Sequence, residues 1–149
     1  MKLLILPIII AFFSFSSCSQ DIPAGKVPSV VQNTVQARFT NTGKIEWEKK
    51  NNNLYEAEFN MDSTEYNIHI DSSGKILLYT MDINKNELPA AVVTAISDKY
   101  IGYKIDEAEK IEKDGIIYYQ AELESKGKKE IQLVFSPDGK IATGVIYIK

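Results

Sequence analysis

Along this chain the apolar positions switch from a period of four to a period of two, and the switch happens twice. Val27, Val31, Val35 and Phe39 recur every four residues, which places them on one face of a helix. Pro28 suits the first turn of such a helix, where a missing N–H is not needed. Asn41-Thr42-Gly43 ends it. From Lys44 the period becomes two. Lys44 to Lys50 sets Ile45 and Trp47 against Glu46 and Glu48. Leu54 to Met61 sets Tyr55, Ala57, Phe59 and Met61 against Leu54, Glu56, Glu58 and Asn60. Glu65 to Asp71 sets Tyr66, Ile68 and Ile70 against Glu65, Asn67, His69 and Asp71. Such alternation predicts antiparallel strands with one dry and one wet face. A fourth strand, Ile76 to Ile83, is apolar on both faces.

The same plan then returns. Leu88, Val92, Ile96 and Tyr100 form a second helix stripe, each 61 residues after its counterpart (88 − 27 = 61), with Ile101-Gly102-Tyr103 at the helix end. Tyr55-Glu56-Ala57-Glu58-Phe59 returns as Tyr119-Gln120-Ala121-Glu122-Leu123, and Ser73-Gly74-Lys75-Ile76 as Asp138-Gly139-Lys140-Ile141. Lys110 to Lys113 is expected to match Glu46 to Lys49 at an offset of 64 (110 − 46 = 64), as if the helix–strand connection were longer. Asp114-Gly115 is a hairpin turn. Ile116 to Glu124, Lys129 to Ser136 and Lys140 to Ile148 complete the strands. A repeat of this period marks each copy as one supersecondary unit. The predicted fold is α+β: two tandem α-β-β-β-β repeats, residues 27–83 and 88–149, each a helix packed on a four-stranded antiparallel sheet. The helix must cover the apolar sheet face, with Trp47, Tyr55 and Phe59 in the core. The other face then meets solvent and carries Glu46, Glu48, Glu56, Glu58, Asn67 and His69. Tyr79 and Tyr118 fall on that outward side by strand phase.

The N-terminus has a different character. Met1-Lys2 is a basic start, and Leu3 to Phe15 is an apolar run of signal-peptide length. It is short of the roughly 20 residues that span a membrane. Residues 1–18 are expected to be a signal peptide and residues 19–26 a tether, broken by Pro23 and Gly25. Phe15-Ser16-Ser17-Cys18 resembles the motif before a lipidated cysteine, with Cys18 as the lipid carrier. The alternative is plain cleavage after Ser19, with Ser17 and Ser19 as the small residues. Either way the chain is expected to be exported, to the periplasm, the outer membrane or the outside. Cys18 is the single cysteine, so no intramolecular disulfide can form. Without Lys2 the chain has 16 basic and 20 acidic residues, a net charge of −4. That opposes nucleic-acid binding, which needs clustered Lys and Arg.

Catalytic and metal-binding patterns are sparse. No Gly-x-Ser-x-Gly elbow is present. His69 is the only histidine, and Val134 is expected to sit one position off its place in the second copy. One histidine and one signal-segment cysteine do not make a zinc set. Asp82-Ile83-Asn84-Lys85-Asn86 has the opening spacing of a calcium loop, but Glu87 stands where the turn glycine is needed and Val93 where the bidentate Glu is needed. Glu56 and Glu58 share a strand face that offers nothing to desolvate an acid catalyst. No glycine-rich phosphate loop occurs. No cofactor, no metal and no enzymatic activity are expected.

The order Val27-Pro28 to Val31, Phe39, Trp47-Glu48-Lys49, Tyr55 to Phe59 and Ser73 to Ile76 resembles the PepSY-like family, also described as beta-lactamase-inhibitor-like. The second-copy carriers are Leu88 to Val92, Tyr100, Ile111-Glu112-Lys113, Tyr119 to Leu123 and Asp138 to Ile141. The resemblance implies a tandem helix-on-sheet protein of bacterial export. It also implies a binding or inhibitory role, since the related PepSY domain is associated with peptidases and beta-lactamase inhibitory protein grips its enzyme with a sheet surface. It carries over no catalytic residue. Two functions therefore compete. One is a non-catalytic envelope or secreted module holding a protein or peptide on the open sheet face through Glu56, Glu58, His69, Tyr79, Tyr118, Gln120 and Glu122. The other is a small-molecule or glycan-binding protein with a pocket between the repeats.

The export reading makes a direct prediction. Mass spectrometry of the natively expressed protein should show a diacylglycerol-modified N-terminus at Cys18. An unmodified N-terminus at Gln20 would replace lipidation with simple secretion.

Overall fold

A computed structural model describes residues 20–144. Cys18 and the signal segment lie outside these residues, as do residues 145–148 of the expected last strand, Lys140 to Ile148, whose described part makes a single bridge, Ile141 to Phe135. One eight-stranded antiparallel sheet forms the body, with strands in sequence order: β1 (Gln20–Asp21), β2 (Glu46–Asn51), β3 (Leu54–Met61), β4 (Thr64–Asp71), β5 (Ile76–Asp82), β6 (Lys104–Lys113), β7 (Ile116–Glu124) and β8 (Ile131–Phe135). Helices α1 (Ser29–Arg38) and α2 (Ala90–Lys99) lie on one face, each after a 3-10 turn at Ala24–Lys26 or Lys85–Glu87. Pro28 and Pro89 are the N-caps, one residue outside the first turn. The period-four stripes pack as the pattern predicts. Val31, Val35 and Phe39 meet Trp47, Ala57, Phe59 and Ile68. Val92 and Ile96 meet Ala108, Ala121, Leu123 and Phe135.

The repeat pattern leaves open whether the two four-stranded units share a sheet, and they do: the described strands form one continuous sheet. β5 pairs with β6 from Leu78↔Lys113 to Asp82↔Glu109, so no edge separates the units. Backbone groups at a free edge would stay unpaired, and joining the units removes two such edges. The segment expected as a tether also enters the sheet. Asp21 pairs with Glu48, and Ile22 N–H donates to Trp47 O at 2.9 Å. The counterpart 61 residues later is the same contact, Ile83 N–H to Ala108 O at 3.0 Å.

The expected match of Lys110–Lys113 to Glu46–Lys49 is also corrected. Trp47 lies opposite Ala57, and Ala108 lies opposite Ala121. The structural counterpart of Trp47 is therefore Ala108, at the helix offset of 61, and not Ile111. The three extra residues (64 − 61 = 3) sit in the β6–β7 hairpin, whose strands are longer than β2 and β3.

The repeated Gly-Lys-Ile turn is where each sheet meets its helix. Gly74 has φ +88°, and a Cβ there would lie 2.9 Å from Thr34 Oγ1 and Val30 Cγ2. Thr34 Oγ1 donates to Gly74 O at 2.9 Å. Gly139, at φ +80°, presses more closely still on Ala91 O of α2. Only glycine combines that dihedral with that approach.

Strand phase can be tested directly. Phe59 and Leu123 are 2% and 0% exposed, so truncating either to Ala should cost roughly 2–5 kcal/mol. Glu58→Ala and Glu122→Ala, on the opposite face, should cost under about 1 kcal/mol. Urea melts of the four variants check this, and equal losses at both parities would contradict the assigned faces.

Candidate functional site

The helix-free face of the sheet is polar at its first end. Glu56 of β3 lies opposite both Glu48 of β2 and His69 of β4. It is 7% exposed, deeper than its outward parity suggests. A buried carboxylate needs partners, and three neighbours supply them. Lys50 is the extra residue of a bulge in β2, and its ammonium sits on Glu56 Oε2 and 2.8 Å from Glu48 Oε2. Asn67 Nδ2 donates to Glu56 Oε1 at 2.5 Å. His69 Nε2 stands 3.5 Å from Glu56 Oε2. Burial, and then the Lys50 charge, push the His69 pKa down to about 4. Glu56 does not reverse this, because its own charge is already met by Lys50. His69 is therefore a neutral imidazole at pH 7.

The other end of the face has the same frame with different chemistry. Gln120 takes the place of Glu56, and its Nε2 donates to Glu109 at 3.3 Å. Gln132 Nε2 donates to Glu122 Oε2 at 2.9 Å. Val134 lies opposite Gln120 as His69 lies opposite Glu56. It is thus the direct counterpart of His69, not a residue one position off. Between the two ends runs an apolar strip. Leu78 and Ile111 are buried, with Tyr118 and Val134 packed against them, and no helix residue contributes.

Tyr79 is not on this face. It lies opposite Ile68, a core residue under α1. The cause is a bulge: Ile70 faces Ile76 but His69 faces Leu78, so Leu77 is an extra residue that reverses the phase after it. The Tyr79 ring contacts Phe39 at 6.0 Å between centroids. Its hydroxyl donates to Glu112 Oε2 at 2.7 Å, and the Arg38 guanidinium lies over it at 5.3 Å. Burial, followed by the Glu112 bond, raises its pKa. Tyr79 braces the two units on the helix side.

Of the residues expected to share a binding face, Glu56, Glu58 and His69 lie at one end, Tyr118 in the strip between, and Gln120 and Glu122 at the other. Lys50, Leu78, Ile111 and Val134 were not anticipated there. The apolar second face of β5 was the signal for Leu78. Among the described residues no three His, Cys, Asp or Glu side chains are grouped to hold a metal. In the calcium-like run, Asn84 caps the 3-10 turn: it accepts from Asn86 N–H at 3.0 Å, while Glu87 accepts from Asn84 N–H.

These features define a tandem helix-on-sheet protein with an uncovered sheet face. The sequence model of the PepSY-like family, described as beta-lactamase-inhibitor-like, matches residues 15–78 and again 79–143. The chain belongs to that family. Solved structures share the fold. A DUF2874 family protein from Bacteroides uniformis superposes with TM-score 0.69 at 19% identity, over 76% of this chain and 85% of that one. A protein from Bacteroides eggerthii described as periplasmic gives 0.71 at 17%, over 77% and 85%. A BLIP-like protein from Bacteroides fragilis gives 0.63 at 24%, over 76% and 82%. No curated protein matches the chain. No helix among the described residues is long and apolar enough to cross a membrane.

The buried imidazole predicts a pH dependence. His69 binds its proton at about pH 4 when folded and at about 6.5 when unfolded. The unfolded chain therefore takes up the proton first as pH falls. The stabilisation is complete above pH 6.5 and is lost as pH drops toward 4, by up to about 3 kcal/mol. Urea melts across that window should show the loss in wild type and a flatter profile in His69→Gln. Identical slopes would refute a buried neutral His69.

Proposed function

We propose that the protein is a non-catalytic, exported binding module of the cell envelope that holds a protein or peptide partner on the open face of its sheet. One observation carries this reading. Leu78, Ile111, Tyr118 and Val134 form an apolar strip in the middle of a face that no helix covers, flanked by carboxylates and amides on both sides. An apolar centre with a polar rim is the anatomy of a protein interface. The Glu56 carboxylate is engaged by Lys50 and Asn67, which suits a structural role rather than acid catalysis. The BLIP-like neighbour shares the fold, and the family description supports binding over chemistry. Export draws support from the signal-like N-terminus and from the neighbour described as periplasmic.

A ligand pocket between the repeats has less support. The groove at the junction holds about 330 Å³ and is lined mainly by polar groups, among them Asp82, Asn84, Lys85, Asp106 and Glu107. Such a lining lacks the apolar enclosure typical of small-molecule sites.

The test starts from a pull-down out of envelope extract with the full chain as bait. Against the captured partner, Tyr118→Ala should weaken binding by about 2 kcal/mol or more, with the melting curve unchanged. Glu122→Ala should weaken it less, and that loss should fade with salt. Wild-type binding by both variants, with loss on changing Asn84 to Glu87, would move the site to the junction.

A further inference from the structure

The sheet has its turns at two ends, and β1 begins at one of them. Gln20 pairs with Lys49 and Asp21 with Glu48, so β1 starts beside the β2–β3 turn at Asn52 and Asn53. Neighbouring strands are antiparallel throughout. The same end therefore holds the β4–β5 turn at Ser72 to Gly74, the β6–β7 turn at Asp114 and Gly115, and the turn after β8 at Pro137 to Gly139. Cys18 precedes Gln20 by two residues, a reach of at most about 7 Å. The ten residues of β6 span about 33 Å. A lipid on Cys18 is thus long enough to hold this end of the sheet at a bilayer, and too short to hold the other.

Such an anchor lets the sheet stand on its turns or lie on its β1 edge, and the chemistry of the turn end separates the two. Ile116 and Ile141 are 54% and 42% exposed there, and Val30, which flanks Gly74 of the β4–β5 turn, is 46% exposed. Ile116 is on β7, six strands from β1, or about 29 Å across the sheet. Edge-on docking would leave it in water. Charge divides the same way. Segments 49–54, 71–76, 112–117 and 136–141 at the turn end carry five lysines and four carboxylates. Segments 43–46, 60–65, 82–87, 104–107 and 124–130 at the opposite end carry six lysines and nine carboxylates. An anionic lipid surface attracts the first end and repels the second. The opposite end also exposes an isoleucine, Ile101, but the charge there opposes such a surface.

We infer that the turn end of the molecule rests on an anionic membrane surface, with the strands upright and Ile116 and Ile141 at the level of the headgroups. This rests on the reading of Cys18 as the lipid carrier and is independent of what the open face binds. The pairing of β1 with β2 is what shortens the connection, since it leaves only Ser19 between the lipid and the sheet. The acidic end points away from the bilayer. The open face stands sideways to it, where a protein can reach it.

Cys18 is the only cysteine, and lipid attachment consumes its sulfur, so an introduced cysteine takes a fluorescent label selectively. The sample is the lipidated full chain in vesicles of phosphatidylethanolamine and phosphatidylglycerol that carry a nitroxide quencher at the headgroup. Labels at Ile116→Cys and Ile141→Cys should be quenched about threefold or more above labels at Lys44→Cys and Lys126→Cys, which sit about 30 Å away at the opposite end. The Lys75→Glu/Lys140→Glu variant should lower that contrast about twofold or more. A contrast indifferent to this variant would overturn the choice of an anionic surface. Quenching at Lys44→Cys without quenching at Ile141→Cys would lay the sheet on its β1 edge and overturn the upright orientation. Mass spectrometry of each sample reads the lipid. A mature N-terminus at Gln20 would overturn the lipid attachment and the orientation together. A lipidated chain quenched equally at both ends would keep the attachment and overturn the orientation alone.

Discussion

The pairing of β5 with β6 is the contact on which the rest of the structure depends. Each unit alone would be a short sheet with one helix and two raw edges, open to pairing with other chains. Hydrogen bonding of Leu78–Asp82 to Glu109–Lys113 turns two such units into one sheet and puts both helices on the same side. The opposite side then becomes a single surface. That is why Leu78 of the first unit can pack with Ile111, Tyr118 and Val134 of the second. The Tyr79–Glu112 hydrogen bond and the Arg38 guanidinium over Tyr79 reinforce the same seam from the helix side.

The seam also redefines the repeating unit. Asp82 and Ile83 stand to β6 as Asp21 and Ile22 stand to β2, down to the backbone bond onto Ala108 or Trp47. The unit thus begins with the strand before the helix. β5 ends one copy and opens the next, and the two-residue β1 is a short counterpart of β5 at the free end. This accounts for the family match beginning at residue 15 and again at residue 79, ahead of each helix.

Much of this architecture was legible in the sequence because one face of most elements is dry and the other wet. Val31, Val35, Phe59 and Leu123 announce their sides by period alone. Legibility fails where that contrast fades. β5 is apolar on both faces, so nothing in its pattern fixes the phase, and the bulge at Leu77 turned Tyr79 inward. In β6 the partner of Ala121 is Ala108, too small to be recognised as the equivalent of Trp47, so the more prominent Ile111 took its place in the alignment. The depth of Glu56 was hidden for another reason. Alternation gives a side chain's side and not its exposure, and Glu56 is buried by Lys50, Asn67 and His69, which come from three different positions along the chain. The family could be read from local motifs. The composition of the open face depends on register across seven strands, β2 to β8, which local motifs do not carry.

The two faces of the sheet have diverged to different extents between the copies. On the helix side the pairs are near repeats: Val31 and Val92, Val35 and Ile96, Ala57 and Ala121, Gly74 and Gly139. Each is held by close packing or by a dihedral only glycine accepts. On the open side the pairs differ in chemistry: Glu56 and Gln120, His69 and Val134. Packing on the helix cannot explain those differences, since these side chains do not touch it. A self-contained fold would gain from relieving the Glu48–Glu56 and Glu46–Glu58 oppositions, yet only one half replaces Glu56 with an amide. Under the proposed binding role, that asymmetry offers a partner a carboxylate-bearing end, an amide-bearing end and, at the seam between them, an apolar strip.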